Sequence, residues 1–486
     1  MLKKIFSPAL FNFWLFIAFA LGIITGFYFP CFAAFILLFL FSAILIFIFS
    51  NLQKFLLSDI FIIILFLSLG ALWYLPYSYK NADNFLGEEN NFIFQVSSIP
   101  KETISRNIFL ADIKNINGIN MAERARVVDY SKKMEYLNNY KVKAKLSRVV
   151  IKDRDFYTLW VKSGRLPEKL PLAAIDKFNR KMTFRLIGIL KNNLSDESYR
   201  FIASVFLGRR ELLNKEEKDN FTNAGISHLL AISGSNIGLT ALVLFFIFRL
   251  VNIKFRICLI LSIFFLFIYT FVTGATAPTL RAVIMYTTFC LSFFVKRKLN
   301  PFNSLGLAGF FCLLVNPSWI FDVGFQLSFI SIFSLILGFK MFPIKQSEVG
   351  FINQLQYLFF SSLYVTVLIT PLISYYFGRI YILSIFNNIL LIPFFTLILI
   401  INFTLLIFSP VKLVAQFIAA ALSLLIPLFY KLSQFLGSIK FSFITCKFSI
   451  KTILIYYIFV ASLIFLLKRL SHRRRSQMVP LTHIKT

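Results

Sequence analysis

The sequence predicts a polytopic α-helical membrane protein of about twelve spans, with a small extracytoplasmic β domain of OB-like type between the third and fourth spans. Three observations carry that class. The chain is 58% hydrophobic over 486 residues, with 63 Phe and a mean hydropathy of +0.77, more apolar surface than a soluble fold can hide. Apolar runs near the ~20 residues that a bilayer demands recur along most of its length. One long stretch, from 78 to 225, breaks that pattern with charged and alternating sequence.

In chain order, residues 1–77 hold three transmembrane helices, near 9–29, 32–50 and 57–76. Lys3 and Lys4 open the chain, and Pro30 separates the first two runs; together these are too long for a cleaved signal peptide. The β domain occupies 78–170. Its strand-like runs are 91–97, 107–116, 125–131, 140–150 and 156–163, separated by turn-rich sequence. Five short strands suit an OB-type barrel, a fold often used on single-stranded nucleic acid, and they also suit other small β folds. Between 78 and 180 there are 19 Lys/Arg and 12 Asp/Glu, a net of +7. The stripe Lys141, Lys143, Lys145 and Arg148 has the form of a phosphate-tracking surface or of an ordinary solvated basic face.

Residues 171–225 read as an amphipathic helical linker at the outer membrane surface. Ile175, Phe178, Met182, Leu186 and Ile189 recur at three- and four-residue spacing, with Lys177, Arg180, Lys181 and Arg185 between them. A second transmembrane domain, 226–467, adds spans near 226–248, 257–273, 278–295, 302–316, 320–338, 357–377, 383–408, 413–436 and 450–467. The run 383–408 contains Asn387, Asn388 and Pro393, so it reads either as one span or as a re-entrant helix. A basic tail, 468–486, closes the sequence.

Loop charges orient these spans. With the N-terminus in the cytoplasm, the inner loops and ends carry seventeen Lys/Arg, among them Lys54, Arg249, Lys254, Arg256, Lys296, Arg297, Lys298, Lys340, Lys345 and Lys412; the short outer loops carry three, Arg379, Lys440 and Lys447. This positive-inside asymmetry places both termini in the cytoplasm and the β domain outside it. It also accounts for most of the net charge of +30 without a nucleic-acid partner. The five cysteines, Cys31, Cys258, Cys290, Cys312 and Cys446, all lie in or beside apolar runs and form no CxxC, so they read as small buried hydrophobes.

Polar residues within spans are costly and usually face a protein interior or a wet cavity. By this topology they fall in the outer half or at mid-depth: His228, the small and polar run Ser233-Gly234-Ser235-Asn236, Thr273, Thr276, Arg281, Asp322, Gln326 and Asn387. Asp59, beside Lys54 at the inner edge, is the exception. A polar vestibule open to the outside explains this distribution. Arg281 and Asp322, at similar depth, are placed to pair, either as a helix–helix clamp or as a substrate contact. Asp322 and Gln326, four apart, are expected on one helix face. Gly234 and Gly238, one turn apart, also fit close helix packing, and Lys431 fits a side chain snorkelling to the interface.

The stretch from Gly225 to Gly238 resembles the signature of the ComEC-type competence protein family. Three further features match in order: Gly208-Arg209-Arg210; Gly274 through Pro278 to Arg281-Ala282; and Asn316-Pro317 followed by Asp322-Val323-Gly324-Phe325-Gln326-Leu327-Ser328-Phe329. Asn387-Asn388 with Pro393 fits as well. The resemblance implies a channel that carries one DNA strand from outside into the cytoplasm through the bacterial inner membrane during natural transformation. It implies as channel-lining or substrate-contacting residues His228, Ser233, Gly234, Ser235, Asn236, Arg281, Asp322, Gln326 and Asn387. Its partners are single-stranded DNA, membrane lipids, a separate DNA receptor, a nuclease and a cytoplasmic motor, with a homo-oligomer as one form of assembly.

The chain departs from the family in two ways. Many members have Leu-His where Ser235-Asn236 stands, so no histidine pair is expected. Many also carry a C-terminal metallo-β-lactamase-like domain, for which this sequence shows no HxHxDH; its other histidines are His472 and His483. No enzyme, metal or cofactor is therefore expected. Besides a decayed or repurposed paralogue that keeps the fold without DNA uptake, two readings compete with a DNA channel. One is a transporter or flippase for another anionic polymer or lipid precursor, served by the same vestibule. The other is an intramembrane hydrolase using Ser233 or Ser235 with His228; on a regular helix, His228 and Ser235 stand ~10 Å apart along the axis, too far for a hydrogen bond.

Overall fold

The computed structural model describes residues 10–51, 55–78, 82–97, 100–102, 106–135, 138–151, 154–162, 167–171, 174–230, 234–273, 277–294, 300–344, 351–439 and 441–477. Ser233, Gly274, Thr276, Lys3, Lys4, Lys54, Lys296, Arg297, Lys298, Lys345, Lys440 and His483 lie outside the described residues. The chain forms two compact units. The first comprises Met1–Lys218, His228–Asp322 and Thr396–Leu428; the second comprises Asp219–Ser227, Val323–Phe395 and Phe429–Thr486.

The first unit begins with three apolar helices, α1 (Phe11–Tyr28), α2 (Phe32–Asn51) and α3 (Phe55–Ser78). With apolar residues on every side, they associate by backbone proximity rather than by an amphipathic stripe. A Cβ on Gly22 would collide with the Leu67 carbonyl, and one on Gly70 with that of Phe19. The α1–α3 crossing therefore depends on glycine at both points.

The β domain follows, with β1 (Glu89–Val96), β2 (Lys101–Glu102), β3 (Asn107–Ile116), β4 (Ile119–Asp129), β5 (Asn139–Ile151), β6 (Arg154–Val161) and β7 (Glu168–Leu170). The sheet runs β1-β3-β4-β6-β5-β7, and β1 also pairs with β5, so five strands close on themselves. All pairings are antiparallel except β4 with β6. Alternation sends Phe92, Phe94, Phe109, Ala111, Val127, Val142, Leu146 and Leu159 inward to one apolar core. Four of the five expected strands, 91–97, 107–116, 140–150 and 156–163, fall within two residues of where the sequence places them. The expected strand at 125–131 in fact begins six residues earlier, at Ile119. Asn117-Gly118, with φ of 50° and 90°, makes a two-residue hairpin whose primed turn favours this dipeptide.

Helices α4 (Ala174–Asn193) and α5 (Asp196–Leu207) follow. The amphipathic pattern describes α4, which leaves Phe178 and Phe184 exposed and buries Thr183, whose hydroxyl donates to the Val272 carbonyl at 3.0 Å. Helix α5 departs from a surface linker: every residue from Phe201 to Leu207 is buried. Ser195 caps its N-terminus and Gly208, in the left-handed region at φ 74°, ends it. A short helix, α6 (Lys215–Asn223), precedes the remaining apolar helices, and the expected 226–467 domain is divided between the two units.

That domain contains α7 (Gly234–Leu250), α8 (Phe255–Val272), α9 (Ala277–Phe294), α10 (Pro301–Val315), α11 (Val323–Met341), α12 (Phe351–Phe377), α13 (Ser384–Phe408), α14 (Lys412–Ser438) and α15 (Ile450–Gln477). Seven of all these helices are long and apolar enough to cross a membrane: α1, α8, α9, α11, α12, α13 and α14. Helix α13 is continuous through Pro393, so 383–408 is not broken. In the second unit, two connecting segments pair as β8 (Arg379–Ile380) and β9 (Ile444–Thr445), and Ser374 Oγ ties them further, donating to the Cys446 carbonyl at 2.6 Å and accepting from the Phe448 amide.

Candidate functional site

The signature stretch is not one helix. Ser227–Leu230 form a 3-10 turn and α7 runs from Gly234, with 231–233 outside the described residues, so the expected span at 226–248 opens on a 3-10 turn rather than on regular helix. The helical spacing assumed between His228 and Ser235 therefore does not apply. His228 is exposed, while Leu229 and Leu230 are buried. The Leu230 carbonyl is held by Arg210 Nε at 2.9 Å. Ser235 opens α7, though its side chain is outside the described set.

Helix α7 has two contrasting faces. Asn236, Ile237, Thr240 and Ala241 are buried. Asn236 Nδ2 donates to the Val205 carbonyl at the end of α5 (3.4 Å), and Thr240 Oγ1 donates to the Asn236 carbonyl (2.7 Å). Gly234 and Gly238 lie on the exposed side. A Cβ added at Gly238 would meet nothing within 4 Å, and one at Gly234 only touches Ala282 Cβ at 4.0 Å. Close helix packing is thus not what these glycines serve; they leave open space beside α7.

Arg281, in the second turn of α9, is 2% exposed. Its Nη1 donates to Asp322 Oδ1 at 3.2 Å, and its guanidinium lies 6.0 Å from the Trp319 ring centroid. Asn316 and Pro317 shape this segment: the Asn316 side chain accepts from the Ser318 amide at 2.9 Å and starts the 3-10 turn Pro317–Phe321, which ends at Asp322. The Asp322 side chain is 49% exposed. The ion pair is therefore a buried cation whose carboxylate reaches an open surface. Asp322 ends the 3-10 turn and α11 starts at Val323, so the expected shared helix face with Gln326 does not form.

Sequence reasoning assigned no role to Arg209, although it stands in a quoted motif. Its backbone amide donates to Ala203 O, and its Nη1 donates to the Ser97 carbonyl at 3.3 Å, fastening the end of α5 to the segment after β1. Burial pushes its guanidinium down to about 10, still protonated at neutral pH. The signal available was the Arg209-Arg210 pair itself, directly after the mostly apolar run Phe201–Leu207. A second fastening joins α4 to the β domain: Arg180 Nη1 donates to Asn138 Oδ1 at 2.6 Å. Beside it, the Lys169 ammonium holds the Glu135 carboxyl below the usual carboxylate range.

The second unit holds the start of the signature. Asn387, in the first turn of α13 and 2% exposed, donates from Nδ2 to the Ala224 carbonyl at 2.8 Å. Arg379 donates to Asn223 Oδ1 at 3.0 Å and stacks 4.4 Å from the Phe443 ring centroid. Gly225 adopts φ +75° against Tyr381 and Ser384, a conformation that side chains disfavour. Gln326 Oε1 accepts from the Tyr376 hydroxyl at 2.8 Å, and Asn388 donates to Ser362 Oγ at 3.0 Å. Arg379, read from sequence only as an outer charge, is thus a brace. Among the described residues, no three His, Cys, Asp or Glu come together to hold a metal.

These polar groups fall in the stretch that the comparisons match. A family model described as "Competence protein" covers residues 205–470, more than half of the chain. The chain belongs to the competence protein family. Over 209 residues it is 31% identical to ComE operon protein 3 of Bacillus subtilis (strain 168), a match covering 43% of this chain and 26% of that protein. Recombination protein 2 of Haemophilus influenzae matches at 26% over 151 residues, covering 30% and 19%. An uncharacterized protein of Aquifex aeolicus matches at 27% over 224 residues, covering 45% and 49%. The matched stretch is thus less than half the length of each of these relatives. No solved structure matches. Family membership and the apolar helices make this competence-family chain a multi-pass inner-membrane protein.

Proposed function

We propose that this chain is a membrane channel that carries single-stranded DNA from outside into the cytoplasm during natural transformation. The observation that carries the reading is the competence-family match over 205–470, the stretch that holds the open glycine face of α7 and the Arg281–Asp322 pair. Strand passage needs a wet path with mobile contacts, and small groups such as Gly234, Gly238, Ser233 and Ser235 suit its wall. Within the first unit Asn236 and Arg281 brace that wall from behind, and Asp322 and His228 reach its open side; within the second, Asn387 braces the start of the signature stretch. Gln326 belongs with the braces.

Seven long apolar helices and five shorter ones, Phe32–Ile46, Asp59–Leu75, Asn236–Leu250, Pro301–Val315 and Ile450–Leu466, support twelve spans with both termini cytoplasmic. The closed strand order, with β4 and β6 parallel, supports an OB-like reading of the outer domain. On its outer face Lys141, Lys143 and Lys145 alternate along β5, and Lys145 lies opposite Trp160, which is 36% exposed. An exposed ring beside a basic row suits stacking of bases and tracking of phosphates. The chain acts without catalysis of its own; receptor, nuclease and motor are other chains, and copies of this one assemble with them in the lipid bilayer.

The test is import of labelled DNA into the cytoplasm of a deletion strain complemented with wild type, Arg281→Ala or Asn236→Leu. Deletion is expected to stop import and wild type to restore it. Unchanged import in the deletion strain, with the protein normally expressed, ends the DNA reading and leaves transport of another anionic polymer or a lipid precursor. For the full-length protein in detergent, Trp160→Ala is expected to weaken binding of a labelled oligonucleotide about tenfold, the order of one lost base–ring stack. Unchanged affinity removes Trp160 from the interface.

A further inference from the structure

Helix α12 carries Pro371 near its C-terminal end. Proline has no N–H, so the Val367 carbonyl, four residues back, loses its partner within the helix. The structure supplies another. Tyr456 of α15 donates its hydroxyl to the Val367 carbonyl at 2.9 Å, and the adjoining Tyr457 donates to the Leu368 carbonyl at 2.8 Å. Thr370 Oγ1 donates back to the Thr366 carbonyl at 2.7 Å. Three successive carbonyls at the proline thus hold side-chain hydroxyls, two of them from another helix. Proline and hydroxyls set into the ladder mark the places where helices bend. One hydroxyl is enough to replace the missing N–H. The second goes to a carbonyl for which Leu372 has an N–H, which is more than capping the proline requires.

Beyond Pro371 the chain is fastened to the segment that leads into α15. The Cys446 amide donates to the Gly378 carbonyl at 3.0 Å, and the Phe448 amide donates to Ser374 Oγ at 3.1 Å. Arg379 and Ile380 pair with Thr445 and Ile444. The same segment reaches α11 through Tyr376 and Gln326, and it reaches the start of the signature stretch through Arg379 and Asn223. These ties are hydrogen bonds, each of modest net worth, so a small free-energy difference shifts the segment between a paired and a released arrangement. A rotation at Pro371 moves 372–380 as one piece, and the tyrosine pair stands where that rotation begins.

We propose that Pro371 is a hinge in α12 and that Tyr456 and Tyr457 are its latch. With both hydroxyls on the α12 carbonyls, 372–380 stays paired with 444–448. With the latch released, 372–380 swings away and loosens its hold on Asn223. A hinge of this kind concentrates the change in a few residues near the end of an element. The latch is built from contacts within the second unit and needs no assumption about cargo. The purpose of the movement, gating the path of the strand, rests on the transport reading.

Hydrogen exchange of the full-length protein in detergent, read by mass spectrometry, tests the latch. The informative peptides cover 444–449, where the Cys446 and Phe448 amides are bonded across the pairing. Tyr456→Phe combined with Tyr457→Phe is expected to speed their exchange about tenfold, the order of two lost hydrogen bonds, and to leave the barrel strand 107–116 unchanged. Pro371→Ala returns an N–H to the Val367 carbonyl. In that background the same two substitutions are expected to leave the exchange at 444–449 unchanged. Equal acceleration in both backgrounds overturns the proposal, because the tyrosines then only pack; no acceleration in either also overturns it. Should the tyrosine variants fail to fold, Pro371→Ala alone decides: a stiffened hinge slows exchange at 444–449, and unchanged exchange overturns the proposal. Import of labelled DNA reads the purpose. Pro371→Ala is expected to lower import severalfold with no loss of thermal stability, and unchanged import overturns the gating role. If deletion of the whole chain leaves import intact, the DNA reading fails, and the exchange result decides the hinge by itself.

Discussion

The two units stabilise buried polar groups in different ways. In the first, a cation 2% exposed is matched by a carboxylate that is 49% exposed. In the second, neutral amides and one stacked guanidinium hold the start of the signature stretch through Asn387–Ala224 and Arg379–Asn223. A charged brace concentrates its energy in one contact, and losing either partner leaves a charge without compensation. Amide braces divide the work, so each loss is smaller and more local. The contrast also bears on function: a half-exposed carboxylate beside a buried arginine can meet a solute, whereas the Asn387 amide is turned inward to the Ala224 carbonyl.

The largest effect is expected from Asp322→Ala. It strands the Arg281 cation and lowers stability on the order of 3 kcal/mol, the low end for a broken buried pair because Asp322 is half exposed. Thermal unfolding of the purified full-length protein in detergent measures it. The combined Arg281→Met and Asp322→Leu variant separates the two roles of the pair, since apolar replacement of both partners is often neutral. Recovered stability with DNA import still lost assigns the charges to the solute; recovery of both leaves the pair a clamp.

Next is Asn387→Leu, which leaves the Ala224 carbonyl buried without its donor and costs about 1–3 kcal/mol. Hydrogen exchange read by mass spectrometry is expected to rise around 219–227 and to stay unchanged around Arg281. A loss spread evenly over both units breaks the comparison.

The sequence shows the class of the protein because lipid and β-barrel interiors impose simple periodic rules. Runs of Phe, Ile and Leu mark the apolar helices, and alternation at Phe92, Phe94 and Phe109, Ala111 marks the barrel core. The Asn117-Gly118 turn sets where β4 begins, and the expectation of a strand starting only at 125 overlooked that dipeptide's hairpin preference. The braces were legible as residue types but not as contacts. Asn236 and Asn387 look like wall residues in sequence, yet each bonds a carbonyl from a distant segment, Val205 and Ala224. Helix α5 carries enough polar residues to read as a surface linker, and only tertiary packing shows that residues 201–207 are enclosed. Asp322 and Gln326 have helical spacing, but the Asn316-Pro317 start of a 3-10 turn places the helix boundary between them.

The smallest effect is expected from Arg379→Lys, and it tests whether this cation of the second unit behaves like the unit's amide braces or like Arg281. Arg379 is half-buried, lies on Phe443 and binds Asn223 through its planar fork. Lysine keeps the charge but loses the flat face and the forked geometry. The loss is about 0.5–1 kcal/mol, the size of a partly exposed cation–ring contact. A shift of that order in unfolding temperature, insensitive to added salt, fits a brace that works by stacking and hydrogen bonding. No loss in Arg379→Lys, with a stability that salt lowers in both proteins, means that Arg379 acts as a charge, and the contrast between a charged brace in the first unit and neutral braces in the second fails.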